Sequence, residues 1–84
     1  MGGREKLIRK ILSGHSDSNI SFSELVGLLE SLGFDHRQRG SHHIFTKSGI
    51  IERINLQADG PKAKAYQARQ IRNILTENKL IENE

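Results

Sequence analysis

Cysteine is absent from the 84 residues, which excludes a disulfide framework and a thiolate metal site and suits a reducing compartment. No apolar run approaches the ~20 residues needed to cross a bilayer, and Met1-Gly2-Gly3-Arg4 does not lead into the hydrophobic core of a secretory signal. A soluble, cytoplasmic protein is expected. Internal repeats and low-complexity tracts are also missing, and a chain this short removes only ~60% of its unfolded surface from water, so one small domain is all it can build. The apolar share of 35%, with eight glycines besides, is still ordinary globular composition.

Acidic residues are missing from two stretches. From His36 to Ile51 there is none, while Arg37, Arg39 and Lys47 stand beside His36, His42 and His43. From Gly60 to Thr76 there is again none, and Lys62, Lys64, Arg69 and Arg72 follow one another. Asp17, Glu24, Glu30 and Asp35 lie together upstream. The net charge of +3 is modest, but this segregation is the electrostatic outline of a surface that meets phosphates. Its bland counterpart is a solvated basic flank on a small domain.

Helical spacing of Leu7, Ile8, Ile11 and Leu12 predicts a short amphipathic helix over Arg4 to Ser13, ended by Gly14. A turn-rich connector with a solvated His15 follows, and residues 1–19 are read as an N-terminal helix and linker. Ser21 and Glu24 have capping-box spacing, with Ile20 and Leu25 at the staple positions. The stripe Phe22, Leu25, Val26, Leu28, Leu29 and Leu32 then predicts a second helix closed by Gly33.

Three strands are predicted next, about Phe34 to Arg39, His42 to Lys47 and Ile50 to Gln57. Gly40-Ser41 suits a type II′ turn, whose first position demands positive φ. That turn sets Arg39 opposite His42, Gln38 opposite His43, Arg37 opposite Ile44 and His36 opposite Phe45. Phe34, His36, Gln38, His43 and Phe45 then share the face that packs on helices, and Arg37, Arg39, His42 and Ile44 share a basic one. A tight turn at Ser48-Gly49 would place Asn55 opposite His42 and Arg53 opposite Ile44. It also strands Glu52 on the apolar side, so Glu52 lies at the sheet margin or a bulge shifts the register. Asp59-Gly60-Pro61 reads as a turn, and Ala68, Ile71, Ile74 and Leu75 predict a last helix from about Ala65, with Arg69, Arg72 and Asn73 outward. The polar tail beyond Lys79, residues 81–84 above all, is expected to fray.

The fold class expected is therefore α+β, a single domain over residues 20–80 with the α-β-β-β-α order of double-stranded RNA-binding domains and an additional helix in front. The run Arg39-Gly40-Ser41-His42-His43-Ile44-Phe45, with a helix before it and a basic helix after it, resembles the HicA family of toxins. Ile54-Asn55-Leu56-Gln57 and Lys62 to Gln70 resemble one branch of that family. The resemblance implies a ribonuclease of a toxin-antitoxin operon that cleaves mRNA, is silenced by a HicB-like antitoxin, and has its functional histidine at His42, with the neighbouring His43 as the alternative. It departs from the family where Gln57-Ala58-Asp59 stands in place of a proline-histidine segment.

Read without the family, His42 is still the preferred group. An imidazole titrates near neutrality, so it can take a proton from a ribose 2′-hydroxyl or give one to the departing 5′-oxygen. Arg37 and Arg39 can stabilise charge on the phosphorus oxygens, and Asn55 can orient the imidazole. Lys47, Arg53, Lys62, Lys64, Arg69 and Arg72 are candidates for tracking RNA phosphates. Gly40 and Ser41 serve the turn, His36 belongs to packing, and His43 reads as a core-edge histidine satisfied by a hydrogen bond. No cofactor is called for. Chelation of a metal by His42 and His43 is disfavoured because consecutive strand residues point to opposite faces. The rival reading is a non-catalytic RNA-binding module or an inactive toxin-like partner of an antitoxin, using the same basic surface.

Overall fold

A computed structural model describes residues 3–81. Helix α1 (Gly3–Ser13) is followed by a single 3-10 turn (Asp17–Asn19), helix α2 (Phe22–Ser31), strands β1 (Asp35–Arg39), β2 (His42–Lys47) and β3 (Ile50–Leu56), a two-strand ribbon β4 (Ala58–Asp59) and β5 (Lys62–Ala63), and helix α3 (Ala65–Glu77). This is the expected order, an α+β domain with a β1-β2-β3 antiparallel sheet and one helix in front. The ribbon grows from what the sequence offers only as a turn, with Gly60 at φ +62.

Local chemistry sets the bounds of α2. Ser21 is its N-cap, and its hydroxyl accepts from the Glu24 amide at 3.3 Å. Beside this cap Ser21 bridges to Lys62, with Phe22 N–H bonded to the Pro61 carbonyl at 3.0 Å and Ala63 N–H to the Ile20 carbonyl at 2.9 Å. The staple residues Ile20 and Leu25 are fully buried. At the other end Gly33 takes φ +96, its N–H bonds the Glu30 carbonyl and the Phe34 N–H bonds the Leu29 carbonyl, which together make a Schellman cap. That cap turns the chain straight into β1.

The Gly40-Ser41 turn holds Gly40 at φ +58, and the β1-β2 register follows as expected, from His36 opposite Phe45 to Arg39 opposite His42. The β2-β3 register differs from expectation. Asn55 stands opposite Ile44 rather than His42, and Ile54 stands opposite Phe45, because an irregularity between Phe45 and Lys47 lets β3 carry extra residues there. The shift keeps residue parity, so Ile54 and Leu56 still face the core and Arg53 and Asn55 do not. The bulge also frees Glu52 at the margin, where its carboxylate accepts from Asn78 at 3.4 Å.

Phe45, Ile54 and Leu56 from the sheet, with Phe34 just ahead of β1, meet Leu7 and Ile11 of α1, Leu25, Leu28 and Leu29 of α2 and Ala68, Ile71, Ile74 and Leu75 of α3 in one core. Helices α2 and α3 cover that face of the sheet and α1 packs on both of them, while the side chains of the other face are left largely to solvent. The chain past Lys79 corrects an expectation: Lys79 takes φ +58, Leu80 packs against the core and Ile81 is buried in it. Two branched apolar side chains outweigh the polar character of the end. The rest of the expected frayed tail, residues 82–84, lies outside the described residues.

Candidate nucleic-acid interface and histidine pair

The bare face is built by alternation. Arg37, Arg39, His42, Arg53 and Asn55 are exposed there around a half-buried Ile44, with Arg39 paired directly to His42. His42 is the first residue of β2, immediately after the hairpin turn. Its Nδ1 lies 3.1 Å from the Asn55 side-chain oxygen. An amide oxygen only accepts, so Nδ1–H donates and the lone pair is left on Nε2. The turn itself is tied down by Gln57, whose amide donates to the Ser41 hydroxyl at 3.3 Å, and by Gln38, whose amide donates to the Gly40 carbonyl at 3.0 Å.

The remaining basic residues separate into two groups. Arg69 on α3 and Lys62 on β5 are exposed, and Lys64 is the N-cap residue of α3 without a side-chain capping bond. Arg72 and Lys47 turn inward. The Arg72 guanidinium donates to Asp17 at 2.8 Å and to the Ile11 carbonyl at 3.1 Å, and both side chains of that ion pair are largely sheltered, 21% and 13% exposed. Its charge joins α3 to the connector and the end of α1, which sets Arg72 apart from the exposed Arg69. Lys47 carries its ammonium over Gly33, so close that a Cβ there would meet Nζ at 2.7 Å. A cation at that helix C-terminus complements the carbonyl dipoles.

Beneath the sheet, the expected packing role of His36 and His43 is only part of what the structure shows. His36 stacks on Phe45 at 4.4 Å between ring centroids, and His43 meets Phe22 edge-on at 5.0 Å. The two imidazoles also bond each other, His36 Nε2 to His43 Nδ1 at 2.9 Å, and His36 Nδ1 bonds the Glu30 carboxylate at 2.9 Å. The carboxylate accepts from His36 Nδ1–H; with His36 neutral its Nε2 accepts from His43 Nδ1–H, and with His36 protonated the same bond runs the other way, from His36 Nε2–H to His43 Nδ1. The hairpin register carried a signal for this pair, since His36 and His43 fall on one face as diagonal neighbours.

A family model described as the HicA toxin of bacterial toxin-antitoxin systems matches residues 22–77. The chain belongs to the HicA toxin family. The match opens at the first residue of α2 and closes at the last of α3, so it takes in the whole sheet and both histidines while α1 lies outside it. Membership makes the chain a toxin of a toxin-antitoxin system, with an antitoxin as its partner. The curated proteins and the solved structures give no match.

No described helix is long and apolar enough to cross a membrane. Sequence reasoning passed over Gln57, Gln67 and Asp17, each of which the HicA-family domain uses to hold an element in place. Gln67 had a signal, because it lies four residues before Ile71 on the buried stripe of α3.

Proposed function

We propose that this toxin is a metal-independent endoribonuclease that cleaves mRNA, with His42 as the base. The carrying observation is the exposed His42 ring held at Nδ1 by Asn55 and flanked across the hairpin by Arg39. Nε2 takes the proton of a ribose 2′-hydroxyl, the 2′-oxygen attacks the adjacent phosphorus, and the P–O5′ bond breaks. The products are a 2′,3′-cyclic phosphate and a 5′-hydroxyl. The leaving oxygen departs on the side of phosphorus opposite the attack and takes its proton from solvent water, and the His42 imidazolium gives the 2′ proton to the hydroxide left behind, which restores the base. Arg37 and Arg39 balance the charge gathered on the non-bridging oxygens, while Arg53, Lys62, Lys64 and Arg69 track the backbone. A HicB-like antitoxin with an acidic surface is the fitting inhibitor, since it can cover the same cations.

A second reading assigns the base to His43, and the observation that favours it is the Glu30–His36–His43 chain, which orients an imidazole through 2.9 Å bonds. Single-turnover cleavage of a defined RNA in EDTA separates the readings. Under the first, His42→Ala slows cleavage by roughly 10²–10⁴-fold, the usual contribution of a positioned acid or base, and still binds RNA, while His43→Ala cuts at a rate much nearer wild type. The reverse pattern moves the base to His43. Wild-type protein that binds RNA without cutting it returns the non-catalytic alternative.

A further inference from the structure

Among the described residues, Gln67 is the one polar side chain buried with the core, 3% exposed. Its amide faces the outer edge of the sheet. Oε1 accepts from the Gln57 backbone N–H at 3.3 Å and Nε2 donates to the Asn55 backbone carbonyl at 3.4 Å. These two peptide groups, two residues apart, project from the same edge of β3, the edge that has no strand beside it. A primary amide offers one acceptor and donors in the same spacing, so a single side chain of α3 stands in for the missing neighbour strand. It does so at Asn55, the residue whose side chain holds His42, and at Gln57, whose side chain holds Ser41 of the preceding turn.

We propose that Gln67 is a positioning residue for His42, setting the end of β3 so that the Asn55 side chain meets Nδ1 and linking the basic helix α3 to the imidazole. The inference rests on the reading of His42 as the base, but its structural half is measurable without RNA. Loss of the Gln67 amide leaves two part-buried peptide groups without that partner, and the end of β3 moves to find water. The imidazole then loses the acceptor that fixes its tautomer, and the fraction of molecules presenting a lone pair at Nε2 falls.

The decisive measurement is an NMR titration of the histidine rings in the free, full-length chain, recording titration midpoint and tautomer for His42 with the exposed His15 as an internal reference. Asn55→Ala defines His42 without its partner. Gln67→Met is expected to move both His42 readings toward those of Asn55→Ala and to leave His15 unmoved. Added to Asn55→Ala, it should move them no further, because both substitutions act through one hydrogen bond. Arg39, facing His42 across the hairpin, is present in every variant, so its charge does not produce the difference. Gln67→Leu is the second probe if Gln67→Met does not fold, since it too removes both hydrogen bonds and places no charge in the buried site.

Wild-type readings for His42 in the Gln67 variant, beside altered ones in Asn55→Ala, overturn the proposal. Unaltered readings in Asn55→Ala overturn it as well. In single-turnover cleavage, Gln67→Met is expected to lose roughly 10–100-fold in rate, the scale of a small misplacement of a reacting group, with RNA affinity unchanged. Wild-type protein that cuts no RNA sinks the nuclease reading alone, and the titration still decides whether Gln67 positions His42.

Discussion

His42 and His43 are the same residue type on consecutive positions of one strand, yet they occupy different chemical settings. His42 stands on the bare face, exposed, with a single 3.1 Å bond to Asn55 and Arg39 across the hairpin. His43 stands on the covered face, half-buried, edge-on to Phe22 and bonded to an imidazole that is itself bonded to a carboxylate. Strand alternation makes the difference, sending one ring toward solvent and the other under the helices. A polyanion approaching the sheet meets guanidinium groups on the first side and α2 on the second. Orientation alone favours His43, whereas access and charge favour His42, and a phosphodiester needs access first.

The largest contrast should appear in stability. Phe45→Ala empties a fully buried position at the centre of the covered face and should cost ~3–5 kcal/mol, comparable with the whole stability of a domain this size, ~4–13 kcal/mol. His42→Ala removes an exposed ring and should cost no more than ~0.5 kcal/mol. Urea unfolding of both variants measures the gap, and a His42→Ala loss close to that of Phe45→Ala would contradict the bare-face assignment. An intermediate effect is expected for His36→Ala. It leaves His43 without its partner and takes the stacked ring from Phe45, for ~1–3 kcal/mol, with little contribution from Glu30, which is 52% exposed. RNA cleavage by His36→Ala should stay near wild type if His42 is the base. Cleavage falling in step with that of His43→Ala would instead place the chemistry on the covered side.

Much of this contrast was legible in the residues. A glycine at the first turn position fixes the β1-β2 register, and the register assigns each side chain of those strands to a face. The β2-β3 register was not legible, because a bulge is a compromise among several packing demands and no single residue announces it. Its length here preserves parity, which is why the faces came out right while the partner of Asn55 did not. The Asn55–His42 bond survives the shift because the two are diagonal neighbours. Arg72 was beyond reach for a different reason. Its partner Asp17 lies 55 residues away, and an ion pair between a connector and the last helix leaves no local pattern. Ile81 was misjudged through composition, since one apolar side chain finding a gap in the core counts for more than the polar residues around it.

The smallest effect tests how far the basic character of the bare face extends along α3. Arg69 is exposed and Arg72 is ion-paired to Asp17, although the two are near neighbours on one helix with the same formal charge. If RNA runs along this flank, Arg69→Ala should reduce the slope of log K against log salt by about one unit, as follows when one phosphate is no longer neutralised. Arg72→Ala should leave the slope alone and lower the urea midpoint instead, because that guanidinium already holds a carboxylate and a backbone carbonyl. Titrating RNA binding over a range of salt with both variants gives the answer. A slope changed by Arg72→Ala would mean that RNA competes with Asp17 for the guanidinium, and then the connector after α1 would have to move when the toxin binds its target.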